Sequence, residues 1–196
     1  MSMSEMTLAN FLDTLASNSP TPGGGAVGAL SAANGAAMIA MVGRLTVGKA
    51  GFEDVEARMH ELIAAGDAAW VDFLRFADAD THAFDGVMVA FKMPKATDDE
   101  KAARSAAIQA GYAEAAAVPQ EVARKSVELM DAAKDATALG NPQAASDGLS
   151  AAASLYCGAL CAIANVEINA NSLKDASHRD GMLEETRTAF HRRLAK

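Results

Sequence analysis

Two long stretches without a charged residue constrain the fold of this chain more than any other feature. They run from Thr14 to Gly43 and from Gly148 to Val166, and both are rich in alanine and glycine. The first is longer than the about 20 apolar residues that a membrane span needs, but it holds few of the large aliphatic side chains that favour hydrocarbon. We therefore expect two small-residue helices that are buried against other helices at short distance, and no association with a membrane.

Amphipathic helices are predicted before and between these stretches. The segment from Leu8 to Leu15 carries its large apolar residues at the three-and-four spacing that is typical of one helix face. The same spacing continues over a long helix, roughly from Glu53 to Lys92, which is ended by Pro94 because proline cannot continue a helix.

A second long helix is predicted to begin at the capping box Thr97-Asp98-Asp99-Glu100. It should kink or pause near Pro119 and stop at Gly140-Asn141-Pro142. A polar segment from Met182 to Lys196 is predicted to form a solvated terminal helix. Because no alternating strand pattern is present, the sequence predicts an all-α fold: a single helical bundle over residues 1–196, with two long amphipathic helices around the small-residue helices.

Net charge and cysteine content narrow the possible partners and compartments. The formal net charge is -8 and no basic patch interleaved with aromatic residues is present, so nucleic acid is not expected as a partner. Cys157 and Cys161 could lie on one helix face, but no second pair of ligands completes a metal site, so we interpret them as small buried hydrophobes. Without a disulfide framework or secretory signal, a cytoplasmic protein is expected. No cofactor is predicted.

Three consecutive glycines, Gly23, Gly24 and Gly25, follow Pro20-Thr21-Pro22 and lie directly before the first small-residue helix. Backbone amides at such a helix N-terminus can face an anion or a carbonyl group of a ligand. A plain connecting turn is the alternative. The segment matches neither the phosphate-binding loop nor the dinucleotide-binding fingerprint.

Acidic residues cluster in the second half of the first long helix, where Asp78, Asp80, His82 and Asp85 occur close together. Asp80 takes a position at which the apolar face from Phe73 to Phe84 predicts a hydrophobic residue. A carboxylate that is turned toward a core has a raised pKa and can act as a general acid or base. The alternative for Asp80, and the better one for Asp78, is a solvated turn, and His82 is expected at the surface.

Polar residues also lie within and beside the second charge-free stretch. Asn165 and Asn169 share one face of the last core helix, and their amides either join helices through hydrogen bonds or line a polar cavity that recognises a heterocycle. Asp147, together with Ser146, is interpreted first as an N-cap of this helix, with a role in a site as the alternative.

The chain also carries an ordered series of short motifs, each of which is unspecific alone. They are Phe11-Leu12-Asp13, Pro20-Thr21-Pro22-Gly23-Gly24-Gly25, Leu45-Thr46-Val47-Gly48-Lys49, Asp80 through Met88, Pro94-Lys95-Ala96-Thr97 with Glu100-Lys101-Ala102-Ala103-Arg104, Val118-Pro119, Gly140-Asn141-Pro142, Ser146-Asp147-Gly148 and Asn165-Val166-Glu167-Ile168-Asn169. Together they resemble the cyclodeaminase/cyclohydrolase family of folate enzymes. This family comprises the cyclodeaminase domain of formiminotransferase-cyclodeaminase and stand-alone methenyltetrahydrofolate cyclohydrolases.

The resemblance implies a helical, homodimer-forming fold that binds a one-carbon derivative of tetrahydrofolate as its substrate. In such a site, Asp80 would stabilise a cationic methenyl carbon and accept a proton from the attacking water, with Asp147 as the second candidate catalytic carboxylate. Asp147, Asn165 and Asn169 would bind the pterin ring, and Lys49 would bind the glutamate tail.

The chain departs from the family pattern at three places, which together comprise five residues. Arg44 stands where asparagine is usual, Ala26 where serine is frequent, and Ala50-Gly51-Phe52 follow Lys49 in place of further lysines and a tyrosine. The leading interpretation is hydrolysis of 5,10-methenyltetrahydrofolate to 10-formyltetrahydrofolate. The alternatives are formiminotetrahydrofolate cyclodeamination with release of ammonia, and a folate-binding or structural helical dimer without catalysis.

Overall fold

A computed structural model describes residues 2–194, and the side chains of residues 2–191. This part of the chain forms seven α-helices and no β-strand, which confirms the predicted all-α bundle. The helices are α1 (Leu8–Leu15), α2 (Gly24–Arg44), α3 (Glu56–Phe91), α4 (Asp98–Glu128), α5 (Met130–Leu139), α6 (Ala145–Ala170) and α7 (Ala176–Leu194). Single turns of 3-10 helix at Met3–Glu5, Glu53–Val55 and Pro142–Ala144 precede α1, α3 and α6.

The first charge-free stretch forms α2, which is the buried centre of the bundle between α3 and α6. Ala36 and Ile39 have no exposed surface. A methyl group on Gly35 would lie 2.8 Å from the carbonyl oxygen of Ala151 in α6, and one on Gly66 of α3 would lie 2.6 Å from the carbonyl oxygen of Ala36. The backbones therefore approach as closely as the small-residue composition predicts, and a larger residue at either glycine would force them apart.

The second charge-free stretch, in α6, is buried on one side only. Its inner side packs on α2, but the outer side exposes 41–69% of four large apolar residues, Leu149, Tyr156, Leu160 and Ile168. By length and composition alone, both helices could cross a membrane. In the most apolar 18-residue segment of α2, however, 61% is buried inside the bundle, against 33% of the corresponding segment that includes α6. α2 is a core helix, whereas α6 leaves an apolar face uncovered in the single chain.

Two details of the middle helices differ from the sequence prediction. α4 begins at the capping box with Thr97 as its N-cap, as predicted, but it stays helical through Pro119, and the interruption falls at Leu129. α6 begins at Ala145, so Asp147 lies in its first turn. The predicted N-cap role of Ser146 and Asp147 is wrong because the Pro142–Ala144 turn leads directly into α6, and Ala144 takes the N-cap position.

The polar terminal helix is longer and less solvated than predicted. α7 begins at Ala176, and it buries Met182, Thr186 and Phe190 against α4 and α6. Most of this helix is polar, but Met182 and Phe190, two turns apart, are sufficient to dock one face. The predicted end of this helix at Lys196 lies outside the described residues.

Candidate functional site

A cleft of about 250 Å³ lies where the N-terminus of α2 meets α3, α4 and the C-terminal part of α6. Its lining combines acceptor groups, aromatic rings and small residues: Pro20, Thr21, Gly23, Gly24, Asp80, Phe84, Tyr112, Ala115, Asn165, Ile168, Asn169 and Ser172. This lining, drawn from the described residues, includes no lysine or arginine. The cleft is therefore suited to a ligand part that is neutral or cationic.

Asp80 is the one carboxylate in this lining, and it lies half-buried on α3, two turns after the fully buried Phe73. Burial raises the pKa of Asp80 above its ordinary value, and a hydrogen bond from the backbone N–H of Ala26 in the first turn of α2 opposes part of this rise. A carboxylate with a raised pKa is a better proton acceptor near neutral pH than an ordinary aspartate.

The glycine segment makes room for Asp80 as well as starting the helix. Gly23 is the N-cap of α2, and Gly24 and Gly25 belong to its first turn. A methyl group on Gly25 would overlap the Asp80 carboxylate, whereas one on Gly23 would meet only the carbonyl oxygen of Pro20 at 3.6 Å. Gly25 therefore leaves the space that the Asp80 carboxylate fills, a role that the sequence did not reveal.

Asn165 and Asn169 lie one turn apart on α6, and both line the cleft. Asn165 Nδ2 donates to the carbonyl oxygen of Cys161, and Asn169 Nδ2 donates to that of Ala115 in α4, each over 2.8 Å. A carbonyl oxygen can only accept, so each amide must turn its NH₂ group toward it. The two Oδ1 atoms receive no hydrogen bond within the described part of the chain, and they are free to accept one from a ligand.

Pro119 explains why the carbonyl oxygen of Ala115 is available to Asn169. In an α-helix this oxygen would accept from the N–H of the residue four positions later, but proline has no N–H. The hydrogen bond from Asn169 takes its place and joins α6 to α4 at the cleft. The predicted pause at Pro119 is thus replaced by a continuous helix with one carbonyl turned to a neighbouring side chain.

Lys49 and Asp147 do not line the cleft. α2 and α6 run antiparallel, since Gly24 lies beside Asn165 and Gly35 beside Ala151. Lys49 is exposed after the C-terminus of α2, and Asp147 is half-buried in the first turn of α6, so both lie at the opposite end of this pair. The 21 residues of α2 span about 30 Å, and neither side chain can reach Asp80 in the same chain.

Other polar residues that the sequence singled out hold the fold. Asp78 accepts hydrogen bonds from Ser2 Oγ at 2.5 Å and from the backbone N–H of Met3 at 2.6 Å, which anchors the N-terminal segment on α3. Thr21 Oγ1 donates to Asp85 over 3.3 Å, which ties the turn before Gly23 to the same helix.

Arg44, which replaces the asparagine usual in the family, also has a structural role. Its guanidinium binds Asp67 of α3 through two contacts of 3.0 and 2.6 Å.

The two cysteines do not form a buried pair. Cys157 is exposed and Cys161 half-buried, so the interpretation of both as buried is wrong for Cys157, which lies on the uncovered side of α6. No cluster of His, Cys, Asp or Glu suited to a metal ion occurs among the described residues.

Phe84 and Tyr112 complete the cleft, and sequence reasoning missed them as site residues. Phe84 continues the apolar face of α3, and Tyr112 lies in the alanine-rich α4, so both look like core residues in one dimension. Only the meeting of α3, α4 and α6 shows that the two rings border the same space as Asp80.

Comparisons with known proteins identify the family. The family model described as formiminotransferase-cyclodeaminase matches residues 7–188. A methenyltetrahydrofolate cyclohydrolase from Methylorubrum extorquens is 40% identical over 91% of this chain and 86% of its own length. A formimidoyltransferase-cyclodeaminase from Sus scrofa is 36% identical over 92% of this chain but 35% of its own length, so the chain spans about a third of that protein.

A solved structure extends the likeness to the whole bundle. The formiminotetrahydrofolate cyclodeaminase from Thermotoga maritima matches with a TM-score of 0.87 and 33% identity, over 98% of this chain and 92% of that one. All these relatives are named as enzymes of folate one-carbon chemistry. The chain therefore belongs to the formiminotransferase-cyclodeaminase family of folate one-carbon enzymes.

Proposed function

We propose that this chain hydrolyses 5,10-methenyltetrahydrofolate to 10-formyltetrahydrofolate. The observation that carries the proposal is the half-buried carboxylate of Asp80, with its raised pKa, in a cleft whose lining has no cationic side chain. The Methylorubrum extorquens cyclohydrolase is 40% identical to this chain and the Thermotoga maritima cyclodeaminase 33% identical, and the higher identity favours hydrolysis over cyclodeamination.

Asp80 acts first as a general base and then as a general acid. The carbon between N5 and N10 of the substrate is cationic, and the negative charge of Asp80 attracts it. Water attacks this carbon while Asp80 takes one of its protons. Asp80 then protonates N5, the bond between N5 and the carbon breaks, and the remaining hydroxyl proton is released to solvent as the formyl group forms on N10. One proton is released for each substrate cation hydrolysed.

The variant Asp80→Asn tests this proposal. The amide keeps the size of the side chain and still accepts from the Ala26 N–H, but it cannot take a proton from water. Turnover, followed by loss of the substrate's near-ultraviolet absorbance, should fall by about two to four decades, the range for a lost general base. Helical content and mass in solution should match the parent protein. Turnover within about threefold of the parent would exclude Asp80 as the base.

Cyclodeamination of formiminotetrahydrofolate is the second candidate, because the Thermotoga maritima neighbour carries that activity in its name. Ammonia release from the formimino substrate distinguishes it from hydrolysis of the methenyl substrate. A folate-binding or structural dimer is the third candidate, and a parent protein that turns over neither substrate would support it against both enzymes.

We further propose that the chain forms a homodimer through the outer sides of α2 and α6. Large apolar residues are exposed there, among them Met41, Leu149, Leu160 and Ile168, and no charged residue occurs in α2 before Arg44. A contiguous exposed apolar surface is typical of an interface, and a twofold dimer covers such a surface with its own copy. Light scattering should give twice the 20.2 kDa mass of one chain. A monomer at all concentrations would contradict the proposal.

Such a dimer gives Lys49 and Asp147 a place in the site. The outer face of the α2–α6 pair ends at the cleft on one side and at these two residues on the other. A twofold axis through its middle, perpendicular to the helices, places Lys49 and Asp147 beside the cleft of the other copy. An acidic cleft beside a lysine is electrostatically preferred to two acidic clefts side by side. Lys49 then binds the glutamate tail, and Asp147 is the second carboxylate of the site.

Mixed dimers test whether the site is shared. Asp80→Asn and Lys49→Glu are each measured alone and then after co-expression of both chains. If the two residues act from different copies, each mixed dimer contains one site with both native residues, and the activity of the sample exceeds the mean of the two variants measured alone by up to about one quarter of the parent activity. If they act within one chain, the mixture gives only the mean of the two variants.

A further inference from the structure

Three of the side chains that line the cleft offer acceptor atoms to a ligand. Asp80 presents a carboxylate, and Asn165 and Asn169 present their Oδ1 atoms because one N–H of each amide donates to a backbone carbonyl. The two small hydroxyl groups also donate away from the cleft. Thr21 Oγ1 donates to Asp85 over 3.3 Å, and Ser172 Oγ donates to the carbonyl oxygen of Ile168 over 3.4 Å.

Aromatic rings form the other part of the lining. Tyr112 packs edge-to-face on Phe91, with ring centroids 6.3 Å apart and an interplanar angle of 81°. Arg104 lies 5.5 Å from the centroid of the same Phe91 ring, and it donates two hydrogen bonds to the Phe91 carbonyl oxygen at the end of α3. Phe91 is thereby fixed at the α3–α4 junction, and it orients the Tyr112 ring beside Phe84 at the cleft.

We infer that Tyr112 is a specificity-determining residue that selects the ring-closed, cationic form of the substrate over ring-opened, neutral forms. The inference rests on the proposed hydrolysis. A planar cation is attracted to an aromatic face and to the Asp80 carboxylate. A ring-opened form carries no positive charge, and its formyl oxygen cannot pair with the Oδ1 acceptors of Asn165 and Asn169. Because hydrolysis removes the positive charge of the five-membered ring, the same surface that binds the substrate releases the product.

The experiment compares Tyr112→Leu with Tyr112→Phe against two ligands. The cationic ligand is 5,10-methenyltetrahydrofolate, measured through its KM and kcat. The other is 5-formyltetrahydrofolate, whose ring is open and uncharged, measured as a competitive inhibitor. Tyr112→Leu should raise the KM for the cation about tenfold, change kcat much less, and leave the inhibition constant of 5-formyltetrahydrofolate within about twofold. Tyr112→Phe keeps the ring and should preserve the preference for the cation.

Two outcomes would overturn the inference. Equal weakening of both ligands by Tyr112→Leu would mean that the ring contributes only shape. A loss in Tyr112→Phe as large as that in Tyr112→Leu would assign the selectivity to the hydroxyl group instead. Calorimetric titration of the parent with each ligand separates this question from the proposed reaction. A parent that binds the cation preferentially but does not hydrolyse it would contradict the hydrolysis and leave the charge selection supported, whereas equal affinities would contradict the selection itself.

Discussion

The two ends of the α2–α6 pair both carry polar side chains, but they differ in how these side chains are satisfied. At the cleft end, Asn165 and Asn169 each donate one N–H to a backbone carbonyl, and their Oδ1 atoms accept no hydrogen bond from the described residues. At the opposite end, the buried Thr46 uses its hydroxyl group fully, because Oγ1 donates to the carbonyl oxygen of Val42 at 2.7 Å and accepts from the backbone N–H of Asn141 at 2.9 Å.

Asn141 also uses its side chain both as a donor and as an acceptor. Its Nδ2 donates to the carbonyl oxygen of Leu45 over 3.3 Å, and its Oδ1 accepts from the backbone N–H of Gln143 at 3.1 Å. The segment Gly140-Asn141-Pro142 therefore joins the end of α2 to the start of α6. Unused hydrogen-bonding capacity, rather than polarity itself, distinguishes the end that can bind a ligand from the end that stabilises the fold.

The largest effect is expected from Gly25→Ala at the cleft end. Its methyl group would overlap the Asp80 carboxylate, which must then move away from the helix N-terminus. Turnover of 5,10-methenyltetrahydrofolate should fall by about a hundredfold or more, as for a lost general base. Gly86→Ala is the matched control, because no atom lies within 4 Å of a methyl group at that position of α3. Equal turnover in the two variants would contradict the role of Gly25.

The helical bundle could be predicted from composition and from the spacing of apolar residues. Within the cleft, a residue could be predicted only where it breaks a local pattern, as Asp80 does because it interrupts an apolar helix face. The role of Gly25 depends on a side chain of another helix, and that of Pro119 depends on an amide of α6, so neither has a local signal. The uncovered side of α6 was missed because alanine and glycine predict close packing without saying on how many sides it occurs.

At the opposite end, Thr46→Val should lower stability and leave chemistry intact. Valine fills the same space but leaves the backbone N–H of Asn141 buried without a partner, which costs about 1–3 kcal/mol in the free energy of unfolding. Thr186→Val is the control, because Thr186 is also buried but its hydroxyl group only donates to the carbonyl oxygen of Met182. Urea denaturation should place Thr46→Val well below Thr186→Val. Equal midpoints would show that the Asn141 hydrogen bond is unimportant.

Lys49→Ala examines the same end for function, with a smaller expected effect. An exposed charge contributes about 0.2–1 kcal/mol to an ion pair, so the KM for a folate with a glutamate tail should rise by at most about fivefold. Binding of a pterin without a tail should not change, since it lacks the carboxylates that Lys49 would contact. Equal losses for both ligands would remove Lys49 from the tail site, and the opposite end would then be purely structural.

Stability gives the last contrast between the two ends, because Asp80→Asn should stabilise the protein where Thr46→Val destabilises it. Burial raises the pKa of Asp80 in the folded state, so the charged carboxylate opposes folding at neutral pH. Below the pKa that Asp80 has in the unfolded chain, the carboxyl group is neutral in both states, and its contribution to stability is fully present. This contribution is lost as the pH rises through the raised pKa of the folded state. Asparagine has no such dependence, and its Tm should exceed that of the parent at neutral pH.

The sign of this difference is best tested by a pH series of thermal unfolding. The advantage of Asp80→Asn should shrink as the pH falls from the raised folded pKa toward 3.8, the ordinary value for aspartate, because the parent carboxyl group then becomes neutral in both states. Asp147→Asn, at the opposite end of α6, controls for the general loss of one negative charge. If Asp80→Asn is less stable than the parent at neutral pH, the carboxylate holds the N-terminus of α2 together through Ala26 more strongly than its burial opposes folding. The cleft end would then resemble the other end, with its polar group serving the fold first.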